Sequence, residues 1–237
     1  SNDTVFFKKT SLTKMVEVIK ENMDSQIPVF FYQNYRNAKN KIYNCNSLDD
    51  IINKISYFIT WIGNFGCWKK DFDILKQKDK YISFGLMQVD WTLQIVSNYK
   101  SSIMFFYDFS DSAMLYKKSG KNIFKIFAYN YFSILKEYVD KNLLKKETFE
   151  LEKKRVLFRF LLPTYVMTIY QKNFSFDTSK MFDYLADYKK NWYFYFAICL
   201  LPVYFIVYGI IFLVKTLTAK NYKLYHSLRK IKARLGI

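Results

Sequence analysis

The stretch Trp192–Val214 holds twenty-three consecutive residues without a charged side chain, and from Lys215 onward the chain carries seven Lys and Arg with no Asp or Glu. At ~1.5 Å per residue, a helix of this length reaches roughly 35 Å, enough to cross a hydrocarbon core of about 30 Å with modest tilt. Fourteen of the twenty-three residues are Leu, Ile, Val or Phe. Each favours the bilayer centre by about 0.3 to 0.6 kcal/mol, so on the order of 4 to 8 kcal/mol supports insertion before Pro202, Gly209 and the tyrosines subtract their share. The competing arrangement is a core helix of a large soluble protein, but such helices seldom run this long without a polar face. The pattern therefore predicts one membrane-spanning helix near the C-terminus.

The remainder reads as helical. Leu12, Met15, Val16, Ile19 and Met23 recur at helical spacing up to Ile27-Pro28. Residues 34–46, with Arg36, Lys39, Lys41 and five Asn, read as a solvated loop. Ser47 and Asp50 have the spacing of a capping box for a helix over 48–62, whose stripe is Ile51, Ile52, Ile55, Phe58, Ile59 and Ile62. Segment 81–99 fits both periods and is assigned to helix, whereas 101–109, with Ile103 to Tyr107 in one apolar block, is too short to span and is assigned to the core. Ile123, Ile126, Phe127, Tyr131, Ile134, Leu135 and Tyr138 mark a further amphipathic helix over 122–141. Residues 156–170 are apolar but interrupted by Arg159 and Pro163, and read as a buried or interfacial helix in preference to a second span.

The expected fold is thus mainly α. A helical extramembrane domain occupies 1–176, a helix over 177–214 contains the span 192–214 and runs without a break for nearly forty residues, and 215–237 form a basic amphipathic tail. In the tail, Leu217, Leu224, Leu228, Ile231 and Leu235 make one stripe beside Lys220, Lys223, Lys230 and Arg234. Trp192, Tyr193 and Tyr195 are expected at the membrane interface as an aromatic belt, with Lys215, Lys220, Lys223, Arg229 and Lys230 contacting lipid headgroups at the other end. Tyr204 and Tyr208 fall near the middle of the span, where a hydroxyl needs a partner. Pro202 is expected to kink the helix, and Gly209 offers a small surface for close packing. All four point to helix neighbours. The excess of positive charge places the tail on the cytosolic side, or on the matrix side of an inner mitochondrial membrane.

Charge widens the set of partners. The chain carries 37 Lys and Arg against 20 Asp and Glu, a net +17. Such a surplus suits anionic lipids, acidic neighbouring subunits or RNA, although only Arg36, Arg155, Arg159, Arg229 and Arg234 supply the guanidinium fork that nucleic-acid contacts favour. The first residues, SNDTVFFKK, are too short and polar for a secretory apolar segment, and a trimmed Met and a removed targeting peptide are both compatible with Ser1.

Enzymatic chemistry has little to stand on. The single His, His226, lies in the basic tail, and Cys45, Cys67 and Cys199 neither cluster nor show CxxC spacing. The cysteines suit a reducing compartment, or indifference to redox conditions. No glycine pattern matches a phosphate-binding loop. Asp71 with Asp73, and Asp108 with Asp111 near Ser110 and Ser112, are the nearest approach to paired carboxylates and read first as turns or caps. No catalytic residue, metal site or cofactor is expected.

With 45 Phe and Tyr, Lys far above Arg, only six Gly and one C-terminal span, the chain resembles in general texture the divergent accessory subunits of ciliate mitochondrial inner-membrane complexes. That resemblance implies a non-catalytic structural subunit of a respiratory or ATP synthase assembly, with other subunits of that complex as partners. A membrane-tethered RNA- or ribosome-binding protein is the alternative that the charge supports.

Overall fold

A computed structural model describes residues 6, 7, 9–25, 27–33, 41–61, 66–107, 110, 111, 120–170 and 176–218. The protein is mostly helical, 68% against 9% strand, which bears out the mainly α class. It divides into two compact units, one of residues 1–115 with 129–152 and the other of 116–128 with 153–237.

The first unit contains a small sheet that the periodicities did not reveal. The two-residue strand β1 (Phe6–Phe7) pairs with β5 (Ser110–Asp111). The central strand of a separate three-stranded sheet is β4 (Ser102–Tyr107), parallel to β2 (Val29–Gln33) and antiparallel to β3 (Lys41–Cys45). The apolar block 101–109, assigned to core packing, is therefore a strand, and the end of the expected loop 34–46 is its antiparallel neighbour. Flanked on both edges, β4 has no solvated row of backbone groups and needs no strict polar alternation. Helix α1 (Lys9–Glu21) lays Val18 and Met15 on Val29, Phe31, Ile103, Phe105 and Tyr107, while Leu12, Val16 and Met23 of the same predicted stripe remain exposed.

Helix α2 (Leu48–Ile55) starts as the sequence predicts. The Ser47 hydroxyl accepts from the Asp50 N–H at 3.1 Å, and the Asp50 carboxylate accepts from the Asn46 N–H at 2.9 Å. It stops seven residues earlier than the apolar stripe suggested. Ser56 adopts φ 58 and ψ −149, a conformation costly for a residue with a Cβ, and a 3-10 turn, Ser56–Thr60, follows. The Ser56 hydroxyl donates to the fully buried Glu152 carboxylate at 2.6 Å, and the Tyr131 hydroxyl donates to the same oxygen at 3.3 Å. That tertiary bond gives the strained residue its anchor.

The expected helix over 81–99 is shorter as well. A 3-10 turn at Ile82–Phe84 ends on Gly85 at φ 66, a left-handed position open to glycine, and α4 runs Met87–Ser97 after it. Short helix α3 (Lys69–Asp73) packs Phe72 edge-on against Trp91 of α4 at 5.4 Å. A π-helical segment, Lys125–Asn130, leads into α5 (Tyr131–Asp140). Within this unit the Tyr138 hydroxyl donates to the Asp90 carboxylate at 2.7 Å, and Phe132 meets Phe149 edge-on.

The second unit is built on two long helical runs. Helix α6 (Lys146–Val156), which begins in the first unit, continues through a π-helical turn, Leu157–Leu161, into α7 (Leu162–Tyr170). Short α8 (Met181–Tyr184) and a 3-10 turn, Ala186–Lys190, precede α9 (Trp192–Thr218). The predicted forty-residue continuous helix does not form. Asn191 is extended, at φ −113 and ψ 135, and its carbonyl accepts the Phe194 N–H to start α9 afresh. Tyr188 and Leu185 are fully buried, so packing sets this corner.

Candidate membrane-facing helix pair

Among the described residues, α9 is the one helix long and apolar enough to cross a membrane, over Trp192–Val214. Its backbone helix continues to Thr218, four residues beyond Val214, where the uncharged run ends. The side chain of Lys215 and all of Lys220, Lys223, Arg229 and Lys230 fall outside the described residues, as does the expected amphipathic tail.

Two faces of α9 differ in character. Tyr193, Phe194, Ala197 and Tyr208 are buried, whereas Trp192, Tyr195, Phe196, Val203, Ile206, Ile210 and Leu213 are exposed. Trp192 is 71% exposed and Tyr195 60%, but Tyr193, placed with them in the interfacial belt, is 7% exposed and packs edge-on against Tyr188. Pro202 and Cys199 lie on the exposed face. The helix continues through Pro202.

The helix α7, with the π-helical turn before it, runs parallel to α9. Phe158 meets the half-exposed Phe196, Tyr165 meets Phe205 edge-on, and Tyr170 stacks on the partly exposed Phe212 at 6.0 Å. Two hydrogen bonds join them in opposite senses. The Tyr204 hydroxyl donates to the Phe158 carbonyl at 3.0 Å, and the Tyr170 hydroxyl donates to the Phe205 carbonyl at 2.9 Å.

Each bond answers a local backbone condition. In an α-helix the Phe158 carbonyl would accept from the N–H of residue 162, and in a π-helix from that of residue 163. The Leu162 N–H is already bonded to the Leu157 carbonyl, and residue 163 is proline, which has none. Tyr204 supplies the missing donor. On the other helix, Gly209 lets the Tyr170 ring approach: a Cβ there would lie 2.8 Å from the hydroxyl oxygen and 3.2 Å from the ring carbon bearing it. Tyr204 also stacks on Tyr208, with rings 6.4 Å apart and nearly parallel. The mid-helix hydroxyl of Tyr204, expected to need a helix neighbour, thus finds it within this chain. The proline at 163 was the available signal for its partner.

At the N-terminal end of α9 the same pairing gathers cations. The Lys154 ammonium lies 5.3 Å from the centre of the Trp192 ring, and the Lys153 ammonium 5.1 Å from that of Tyr188. Lys189 and Lys190 are exposed beside them, Lys190 pairing with Asp187 at 3.1 Å. Arg159, one residue beyond Phe158, is exposed. Tyr165 also meets Phe124, and two residues before Phe124 the Asn122 amide donates to the Asp177 carboxylate at 3.1 Å and to the Ser179 carbonyl. The Ser179 backbone N–H, then Asn122 and the Ser179 hydroxyl, hold the Asp177 carboxyl below its ordinary range.

The carboxylates singled out in the sequence are elsewhere. Asp71 is buried and accepts from the Tyr99 hydroxyl, whose pKa burial first, and then that bond, push up to about 12. Asp73 is exposed, while Asp108, the Asp111 side chain and His226 fall outside the described side chains. Burial likewise pushes the Cys45 thiol up to about 11, the opposite of an activated thiolate. Among the described residues, no three His, Cys, Asp or Glu side chains gather as metal ligands would. No protein-family model, curated protein or solved structure matches this chain.

Proposed function

We infer that this protein is a non-catalytic structural subunit of a multi-subunit membrane complex, with α9 crossing the bilayer. The observation that carries the reading is the asymmetry around α9. One flank is a continuous bulky apolar face suited to hydrocarbon. The opposite flank carries α7, joined to α9 by ring contacts and by the Tyr204 and Tyr170 hydrogen bonds. Protein neighbours suit that flank, and lipid on the other keeps the apolar face out of water.

The compositional likeness to ciliate accessory subunits supports a mitochondrial inner-membrane assembly of the respiratory or ATP synthase kind, with the basic tail on the matrix side. The exposed residues Leu12 and Val16 of α1, with Met23 in the turn after it, give such neighbours a second apolar surface. Purification in mild detergent followed by native mass measurement tests this. The expected outcome is a particle much larger than the 28.6 kDa chain, with companion subunits. A stable monomer overturns the complex.

A further inference from the structure

The parallel arrangement of α6–α7 and α9 sets two rows of side chains against each other, four residues apart on each helix. Lys154 and Phe158 stand on one row, Trp192 and Phe196 on the other. The Lys154 ammonium caps the Trp192 ring, Trp192 touches Phe196 at 6.3 Å, and Phe196 touches Phe158 at 6.2 Å. Arg159 stands next to Phe158 in the chain, and the Tyr204 bond to the Phe158 carbonyl ties that turn to α9. Cation above, aromatic rings below and an exposed apolar strip leading on to Cys199, Val203 and Ile206 make a surface of graded polarity.

We propose that this surface binds an anionic phospholipid, with the headgroup phosphate held by Lys154 and Arg159 and one acyl chain lying over Phe158, Phe196 and the strip that follows. The assignment rests on the membrane-spanning reading of α9 and deepens it. Charge selects the occupant. Lys154 and Arg159 are exposed, and a phosphate near the level of Trp192 complements both, since each long side chain can carry its charge toward the headgroups. Length agrees. From Trp192 to Val203 the helix rises roughly 16 Å, about the thickness of one leaflet's hydrocarbon. The exposed face carries Phe, Val, Ile and Leu, side chains that suit acyl chains.

Trp192 reports on the site directly. The full chain is reconstituted in phosphatidylcholine vesicles containing either brominated phosphatidylglycerol or brominated phosphatidylcholine, and the quenching lost on Trp192→Phe is taken as the Trp192 signal. Phosphatidylglycerol is expected to be preferred at Trp192 by about thirtyfold at low salt, the effect of two cations near an anionic surface. In the double variant Lys154→Gln, Arg159→Gln, with its helical circular dichroism unchanged, the preference falls to near unity while quenching by phosphatidylcholine persists. Ile206→Trp in the Trp192→Phe chain reports insertion independently. Strong quenching there with equal quenching by both lipids at Trp192, or a preference retained in the double variant, overturns the phosphate site and leaves the span intact. Quenching at position 206 with none at Trp192 means protein covers the surface and overturns it too. No quenching at either position removes the span and the lipid site together.

Discussion

A carbonyl oxygen without a donor costs about 1 to 3 kcal/mol when buried, and inside hydrocarbon no water relieves it. The part-buried Phe158 carbonyl has no α- or π-helical donor, and the Tyr204 hydroxyl reaches it. Gly209 permits the complementary bond from Tyr170 to the Phe205 carbonyl. In an ordinary exposed helix, Gly→Ala adds about 1 kcal/mol of stability. Here the added methyl must push the Tyr170 ring away, so Gly209→Ala is expected to lower the thermal midpoint in detergent. Tyr170→Phe added to that variant should then change little, because its bond is already broken; a full further loss would sink this account. At Glu137 burial works against ionisation, but the bonds from Lys80 at 2.5 Å and Tyr81, with the Lys80 and Lys141 charges, outweigh it and hold the carboxyl below its ordinary 4.5. A lowered folded pKa stabilises the fold fully above the unfolded value, and the contribution disappears as pH falls through the folded one. Glu137→Gln should therefore flatten the loss of thermal stability as pH falls below the ordinary 4.5, where its own titration contributes.

Among the elements, the π-helical turn Leu157–Leu161 and Pro163 act together. Pro163→Ala restores an N–H that can reach the Phe158 carbonyl, so it should rescue part of the loss caused by Tyr204→Phe. A double-mutant cycle in unfolding free energy is expected to show about 1 kcal/mol of coupling, and simple additivity would disconnect the two. Element identity was unevenly readable. The start of α2 was legible because Ser47, Asp50 and the isoleucine stripe act within one turn. Its end was not, since Ser56 leaves the helix to bond Glu152, ninety-six residues away in the chain. The block Ile103 to Tyr107 had strand composition but no alternation, because partners on both sides and α1 against the sheet leave little to distinguish its faces. The continuity predicted between 177 and 214 failed at Asn191, where burial of Leu185 and Tyr188 turns the chain before α9 begins.

For the molecule as a whole, a crossing α9 separates the helical body from residues 219–237. Protease added to sealed, oriented vesicles from one side should remove that C-terminal segment or digest the body, never both; cleavage of both from one side refutes the crossing. The folded structure also changes the charge argument for orientation. Counted along the chain, seven cations follow the span, while the segment before it holds nearly balanced charge. Lys153 and Lys154 come from a distant helix to Tyr188 and Trp192 at the leading end of α9, so cations stand at both ends. The matrix-side orientation proposed for the tail then rests only on its larger number of cations in the sequence, and Lys154 supplies a headgroup contact proposed for the leading end.

Length, apolarity and the absence of charge from Trp192 to Val214 follow from covalent composition, and a mainly helical class follows from local spacing and capping. These are properties of residues within a few positions of one another. Which face of α9 stays open, why Tyr204 and Gly209 stand where they do, and how Lys154 comes to cap Trp192 depend on α7 lying beside α9, an arrangement set by ring contacts and carbonyl bonds between residues some forty positions apart. Local periodicity carries no record of such pairs, because the energy that selects them arises only when the two helices meet.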